Sequence, residues 1–573
     1  DGSNWETVAV PHSYNAEDGH SPYYYRGKAT YRCDLRITDI KKTHYLFFEG
    51  AAQAAVVKVN GEQVAIHKGG YTPFSVNITE ALTKGVNRLE VICDNTEDVQ
   101  MAPVTSDFNK NGGLHNPVWL LVMEDVYLTP EDYGMYRIRC EIPEVTKKKV
   151  VTNVRTKIVN SGNRDANILV RVQLLESNGQ LAYQADREIP VGAFSEYDFD
   201  HEFLLSGVHL WDGVKDPYLY TLRVELFKGK RMMDIAETKI GYRSIEMDPE
   251  RGFLLNGRPY RLRGVAMHQD TDGKASALTQ ADYRRDYRIV KELGANFLRL
   301  AHYPHNDFAF QQCDSLGIIV QTEVPWVNVC GENAPQSYFN NIHHQMKEMV
   351  NNLYNHPSIA FWGMWNELDT WGNNSDLQGA FDAERVARET KRLYEYTKSL
   401  DPDRYVGFTD CSRLARDGYP YLKGDFCSQN IYYGWYWTPN DFSGLTTSLK
   451  KVRELRPDCP INLSEYGVGI NPFCHVWNQA DAVRDKEDDS RHYEEYGNRF
   501  HESYVRQIKA MPWLNFTSVW VLFDFPVANR QEGYMDSEDG VKFVRNNDRK
   551  YMNDKGLVTR DRRVTSPLSF MYL

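Results

Sequence analysis

Two short stretches end in carboxylates that could work together. Ile359 to Asp369 reads I-A-F-W-G-M-W-N-E-L-D, an apolar, aromatic run that stops at Asn366 and Glu367. Ile461 to Glu465 reads I-N-L-S-E and stops at Glu465. An unbroken apolar run of this length suits a strand buried on both faces, as in a parallel sheet. A carboxylate at the exit of such a strand leaves the core where a substrate can reach it. Two carboxyls facing each other are what cleavage of a glycosidic bond requires. One must be a protonated acid, its pKa raised by burial or by the other's charge. The other must stay ionised to attack or to activate water. The competing readings are a helix N-terminus with an acidic first turn at Glu367, and a salt-bridge role beside an arginine for one of the pair.

The elements that would position this pair begin near Gly252. Strand-like segments at Arg261–His268, Asn296–Ala301, Ile318–Glu323, the Ile359 run, Tyr405–Thr409, Phe426–Ile431, Ile461–Glu465 and Thr517–Phe523 follow one another. Helical segments fall between them at Tyr283–Glu292, Phe308–Ser315, Tyr338–Tyr354 and Leu377–Ser399. Gly294 sits where a C-terminal helix cap belongs, and Phe253 to Gly257 reads as a hairpin-like entry. This alternation predicts a (β/α)8 TIM barrel over 244–573, whose C-terminal rim carries the active site. Polar groups recur at the predicted strand ends: His268 and Asp270, Arg299 and His302, Glu323, Asn366 and Glu367, Asn430 and Tyr432, Glu465, and Trp520. Glu367 on strand four and Glu465 on strand seven would face each other across the mouth.

Upstream, the pattern is all-β. Residues 1–125 carry short runs such as Y-L-F-F-E-G, A-A-V-V-K-V-N-G and L-E-V-I-C-D, split by turns such as Asn60-Gly61. They predict a jelly-roll-like β-sandwich whose N-terminus is truncated. Residues 126–243 carry longer amphipathic strands and predict an immunoglobulin-like β-sandwich that acts as a spacer. At 573 residues the chain exceeds one core, as three domains require.

Composition excludes several classes. No run of 18 or more apolar residues exists, so no membrane span is expected. A net charge of -11 argues against a nucleic-acid partner, which would call for a basic face. Aromatic residues make up 13% of the chain, which suits sugar stacking and β-sheet cores alike. The nine cysteines are scattered, with no C-x-x-C pair and no histidine cluster at metal spacing, so neither a zinc site nor a disulfide framework is expected. The chain starts at Asp1 without Met or a signal peptide, inside what reads as a domain. Compartment is therefore not legible, and an exported, periplasmic bacterial enzyme is compatible with it. A homo-oligomer is equally compatible.

Asn296-Phe-Leu-Arg-Leu-Ala-His302-Tyr-Pro304, continuing to Gly317-Ile-Ile-Val320, resembles the first signature of glycoside hydrolase family 2. Asn355-His-Pro-Ser-Ile-Ala-Phe-Trp-Gly-Met-Trp-Asn366-Glu367 resembles the second. This family contains β-galactosidases, β-glucuronidases and β-mannosidases, and the resemblance spans essentially the whole chain. Leu300 departs from the small or polar residue usual there. The resemblance implies that Glu367 is the general acid/base and that Glu465, in Ser-Glu-Tyr-Gly, is the nucleophile. A retaining double displacement through a covalent glycosyl-enzyme follows, with the carboxyls about 5 Å apart and no cofactor or metal required. It further implies that Asn366 bonds the sugar 2-hydroxyl, that Tyr432 orients Glu465, and that His268, His302 and Trp520 wall the terminal-sugar subsite. Asp107 would reach from the first domain into the barrel mouth, closing one end of an exo-acting site.

The sugar is read from fewer residues. Asn553-Asp-Lys555 resembles the Asn-x-Lys pair with which glucuronidases of the family bind the sugar carboxylate, an ion pair suited to a pocket. Asn430-Ile-Tyr-Tyr-Gly-Trp-Tyr is also glucuronidase-like. Gly264 to Asp270 and the insert around Asn529 to Asp554 resemble bacterial β-galactosidases instead. The expectation is a carbohydrate-cleaving enzyme of β-galactosidase type, with a β-uronidase as the alternative. A non-catalytic carbohydrate-binding protein would be favoured if either glutamate were missing, and both are present.

Overall fold

A computed structural model describes residues 5–20, 24–146, 148–368, 378–411, 422–484, 491–528 and 551–566. Eight parallel strands close into a barrel: Leu262–Met267, Phe297–Leu300, Ile319–Glu323, Ile359–Asn366, Tyr405–Asp410, Phe426–Asn430, Ile461–Glu465 and Phe516–Val519. Side chains alternate between the barrel interior and the surrounding helices. At the N-terminal end the interior is an aromatic layer of Phe297, Phe361, Phe426 and Phe516, with Phe297 stacked on Phe516 at 4.4 Å. One step up the interior turns polar and ionic, at Arg299 on strand two and Gln321 and Glu323 on strand three. Gly363 makes the room: a Cβ there would lie 2.5 Å from Glu323 Cβ.

Strand four holds its sequence-predicted place but is not regular. Its pairing with strand five shifts between Gly363 and Asn366, a bulge that re-aims the last residues. The strand ends at Asn366, and Glu367 follows with φ of 49°. That left-handed conformation is uncommon away from glycine.

Ahead of the barrel lie the two predicted sandwiches. In the first, a four-stranded sheet (Lys28–Ile37, Gly85–Asp94, Ala54–Val59, Glu62–Lys68) faces a three-stranded one (Phe74–Asn77, Thr43–Phe48, Val118–Met123). Strand Val126–Leu128 pairs with Val150–Asn160 and so belongs to the second sandwich. Both dock on the barrel through side-chain amides. Asn355 bonds the backbone of Cys140 and Ile138 in the second sandwich. Gln345 and Asn341, on the helix Gln336–Leu353, bond Ala102 and Lys68 in the first.

Several expected boundaries move. Strand eight stops at Val519 because the backbone then leaves the ladder: Trp520 N bonds Tyr466 O, and Val521 N bonds Lys555 O. The helix expected from Leu377 starts at Ala383, where Asp382 caps it by accepting from Arg385 N. The helix expected from Tyr283 starts earlier, at Gln280, behind a Thr279–Asp282 capping box. Helices Gly444–Leu455 and Glu494–Lys509 were not placed from sequence. Asp369, Leu377 and residues 529–550 of the insert expected around Asn529 to Asp554 lie outside the described residues. No disulfide joins any two of the nine cysteines among the described residues.

His356, in the turn that launches strand four, is buried between two carboxylates. Its Nδ1 lies 2.6 Å from Asp314 and its Nε2 3.0 Å from Asp307. Burial alone would lower its pKa, but Asp314 and Asp307 outweigh burial and hold it up at about 10. Stability from the charged ring is therefore complete below the ordinary value of 6.5 and is lost as pH rises towards about 10. Replacing His356 by Gln should cost about 3–5 kcal/mol near neutrality. In thermal unfolding the gap between parent and variant should narrow as pH approaches 10. A gap that is constant across that range would show the ring to be uncharged.

Candidate active site

Arg299 is the hub of the barrel mouth. It is fully buried, on an interior position of strand two. Its Nε and one terminal nitrogen hold Glu323, at 3.2 and 2.8 Å. The other terminal nitrogen donates to Glu465 Oε1. A further bond reaches Asn366 Oδ1 at 2.8 Å. Burial opposes the charge of Glu323, but Arg299 and the hydrogen bond from His302 more than offset it, and its pKa falls to about 2. Burial likewise opposes the charge on Arg299, and the two carboxylates reverse that effect and raise its pKa.

Of the sequence-predicted pair, Glu465 binds this cation directly, and Glu367 is tied to it through Asn430 and Asn366. Glu465 accepts from Arg299 at Oε1 and from the Tyr432 hydroxyl at Oε2, 2.7 Å away. Both of its oxygens thus face donors, an arrangement built for an ionised carboxylate. Burial and the charges of Glu465 and Glu367 push Tyr432 well above the usual phenol range, so it stays protonated and can donate. Glu367 is half-buried, and its Oε1 accepts from Asn430 Nδ2 at 2.6 Å. The same amide reaches Asn366 Oδ1 at 3.2 Å, and Ser464 fixes Asn430 by donating to Oδ1 at 2.7 Å. With Arg299 and Asn430 both donating to Asn366 Oδ1, the amide's orientation is set and its Nδ2 is the group left for a ligand.

The wall beside Glu465 is aromatic. His302 Nδ1 lies 2.6 Å from Glu323, which places the proton on that nitrogen, and Nε2 is 3.8 Å from Glu465 Oε1. The ring stacks on Trp520 at 5.0 Å. His268 meets Trp520 edge-on at 5.4 Å. Burial, with His302, His305 and Arg299 nearby, drives His268 well below the usual imidazole range. Its Nε2 is buried without a hydrogen-bond partner among the described residues.

Two further segments close the mouth. The first-domain loop enters it: Phe108 packs 5.0 Å from His268 and 5.3 Å from Tyr303, and Asn109 is held by Ala528 N at 2.9 Å. Asp107 is half-buried beside Phe108. From the other side, Phe525 pairs with Asn553. Lys555 is buried, its ammonium 4.9 Å from the Tyr436 ring, which itself packs 5.2 Å from Tyr432. Asn553 is buried too, and its Nδ2 has no hydrogen-bond partner among the described residues.

The strand-end residues singled out from sequence lie on one mouth with one exception, and Asp107 stands next to it through its neighbour Phe108. Asp270 is committed to Arg560, whose guanidinium grips both of its oxygens at 2.7 and 3.1 Å. The central role of Arg299 was missed, although a cation inside an apolar strand is itself a signal. Phe108, Tyr303 and Tyr436 carry no such mark in sequence.

Three family models cover the chain: glycosyl hydrolases family 2, TIM barrel domain, over 247–571; glycosyl hydrolases family 2, over 137–243; and glycosyl hydrolase 2 galactose-binding domain-like, over 11–117. A β-glucuronidase of Bacteroides fragilis is 30% identical over 99% of this chain and 78% of its own length. A β-galactosidase of Thermoanaerobacterium thermosulfurigenes is 28% identical over 82% of this chain and 62% of its own. Among solved structures, Bacteroides uniformis β-glucuronidase 2, covalently bound to cyclophellitol-6-carboxylate aziridine, superposes with a TM-score of 0.89 at 28% identity. That match covers 100% of this chain and 66% of the other.

Replacing Arg299 by Met should leave two carboxylates buried without their cation and cost about 3–5 kcal/mol in urea unfolding. Adding Glu323→Gln to that variant should restore part of the loss, because one uncompensated charge is gone. A loss under about 1 kcal/mol, the range of exposed pairs, would show that water reaches the cluster.

Proposed function

The chain belongs to glycoside hydrolase family 2, and on that premise we propose that it is a retaining exo-β-glycosidase whose preferred substrates are β-glucuronides. In the first step Glu465 attacks the anomeric carbon while Glu367 passes its proton to the leaving oxygen. The bond to the aglycone breaks as the Glu465 ester forms. In the second step water gives a proton to Glu367 and attacks the same carbon, and Glu465 leaves as a carboxylate. Arg299 stays in place while Glu465 is an uncharged ester because Glu323 still holds it. Tyr432 keeps the attacking oxygens oriented. Asn366 Nδ2 is the donor to the sugar 2-hydroxyl, and His268, His302 and Trp520 wall the sugar. The Asp107–Phe108 loop closes the far end, which favours cleavage from a chain terminus. Neither step draws on a metal or a cofactor.

The observation that carries the sugar assignment is the buried Asn553–Lys555 pair, whose lysine lies over Tyr436, the neighbour of Tyr432. An ammonium and an amide donor together suit a carboxylate. The relative bound covalently to a 6-carboxylate compound supports both the acidic sugar and a covalent step. The second reading is a β-galactoside, the preference drawn from sequence, and relatives named β-galactosidase favour it.

Nitrophenyl β-glucuronide and β-galactoside separate the two. With the glucuronide, Lys555→Ala should lose about 2–5 kcal/mol of transition-state binding, roughly 30- to 5000-fold in kcat/KM, and the galactoside rate should hold. A parent enzyme that prefers the galactoside, or a lysine variant that slows both alike, would reject the uronide reading.

The roles of the two carboxyls are separable by leaving group. Glu465→Gln should abolish turnover of every substrate. Glu367→Gln should slow an alkyl glycoside by orders of magnitude more than a nitrophenyl one, because nitrophenolate departs without a proton. Equal slowing of both substrates would remove Glu367 from the acid's role.

A further inference from the structure

Away from the mouth, the first sandwich and the barrel bring together two imidazoles and a carboxylate. His67 sits on the strand Glu62–Lys68, and His344 and Glu348 lie one turn apart on the helix Gln336–Leu353. Spacing of i and i+4 puts both helix side chains on one face. Glu348 Oε1 lies 2.9 Å from His67 Nε2 and 3.0 Å from His344 Nε2. One ligand atom from each residue falls within 4.8 Å of the other two. We propose that His67, His344 and Glu348 form a binding site for a divalent transition-metal ion, Zn2+ by preference, that staples the first sandwich to the barrel.

The donor set selects the metal class. Two imidazole nitrogens with one carboxylate suit zinc and its neighbours, whereas calcium and magnesium take oxygens. Tetrahedral zinc, with bonds of about 2.0–2.2 Å, separates its ligand atoms by about 3.3 Å. Glu348 Oε1 therefore needs to draw back from each imidazole nitrogen by only a few tenths of an ångström, while the two nitrogens, within 4.8 Å of each other, settle at the same separation, with water as the fourth ligand. The shell around them is partly built. Thr72 fixes the carboxylate by donating to Glu348 Oε2 at 2.6 Å, and Phe74 stacks on the His67 ring at 3.9 Å. Binding displaces the protons that the Nε2 atoms now turn toward Glu348. The Nδ1 of His67 is buried without a hydrogen-bond partner among the described residues, so the proton relocated there finds no acceptor among them. A missing outer partner weakens a metal site about 10- to 100-fold, so this one binds less tightly than structural zinc.

The position gives the ion a purpose. Thr72 follows Tyr71, whose ring stacks at 3.9 Å on Tyr303 at the mouth. The same helix holds Ala102, where the loop bearing Asp107 and Phe108 begins. A metal here braces the segment that closes the active site.

The full chain, stripped with a chelator and desalted, is titrated with Zn2+ by equilibrium dialysis and with Co2+ by visible absorption. One equivalent per chain is expected, with a rise in melting temperature and a cobalt spectrum of low coordination number. His344→Ala, at a side chain that is 55% exposed, should fold normally and lose the equivalent, as should Glu348→Gln. His209→Ala, in the second sandwich, should keep it. Failure of the parent to bind, retention in either cluster variant, or weak multi-site uptake indifferent to His344 would each overturn the proposal.

Discussion

The barrel mouth depends on one buried cation. Arg299 cannot leave the interior without stranding two carboxylates, and neither carboxylate can sit there without Arg299. Isolated ions in such a place would be expelled by their desolvation cost, and only mutual pairing with full hydrogen bonding keeps them. The division of labour follows from geometry. Glu323 is fully enclosed and serves the arginine, whereas Glu465 keeps its second oxygen for Tyr432 at the open side. The aromatic layer beneath excludes water from below, so the field of the cluster acts upward on whatever occupies the mouth.

Around that centre, precision comes from departures from regularity. Strand four must break register after Gly363 to bring Asn366 and Glu367 to the mouth, and Glu367 adopts a left-handed backbone to finish the turn. Gly363 itself gives up a side chain so that Glu323 can fill the interior. The sandwiches hold the barrel through amides that read backbone, at Asn355, Asn341 and Gln345, and these fix distance and orientation more strictly than apolar contact would.

The barrel and its paired glutamates were legible because buried parallel strands write themselves as apolar runs and the polar groups of a barrel mouth stand at their ends. Glu367, Glu465, Tyr432 and Asn430 all follow from that rule. What the sequence hid was tertiary. The bulge in strand four leaves no mark in composition. Nothing in S-D-F-N announces that Phe108 would pack on His268. His67 and His344 lie in different domains, so no spacing rule could join them. Asp270 looked like a rim carboxylate, and only the fold supplies Arg560 to claim it. Boundaries shifted where a capping side chain overruled periodicity, at Thr279 and Asp382.

Phe108 and Lys555 stand on segments that belong to no barrel strand, one borrowed from another domain and one trailing the last strand. The groups beside the two glutamates, by contrast, are built into the closed sheet. Folding and the two-carboxylate centre are thus inherited together, while the segments at the margin of the mouth are free to drift. A lineage with this layout can change its diet by exchanging a loop residue, at little risk to the scaffold. One architecture can then be shared by relatives that carry two different substrate names.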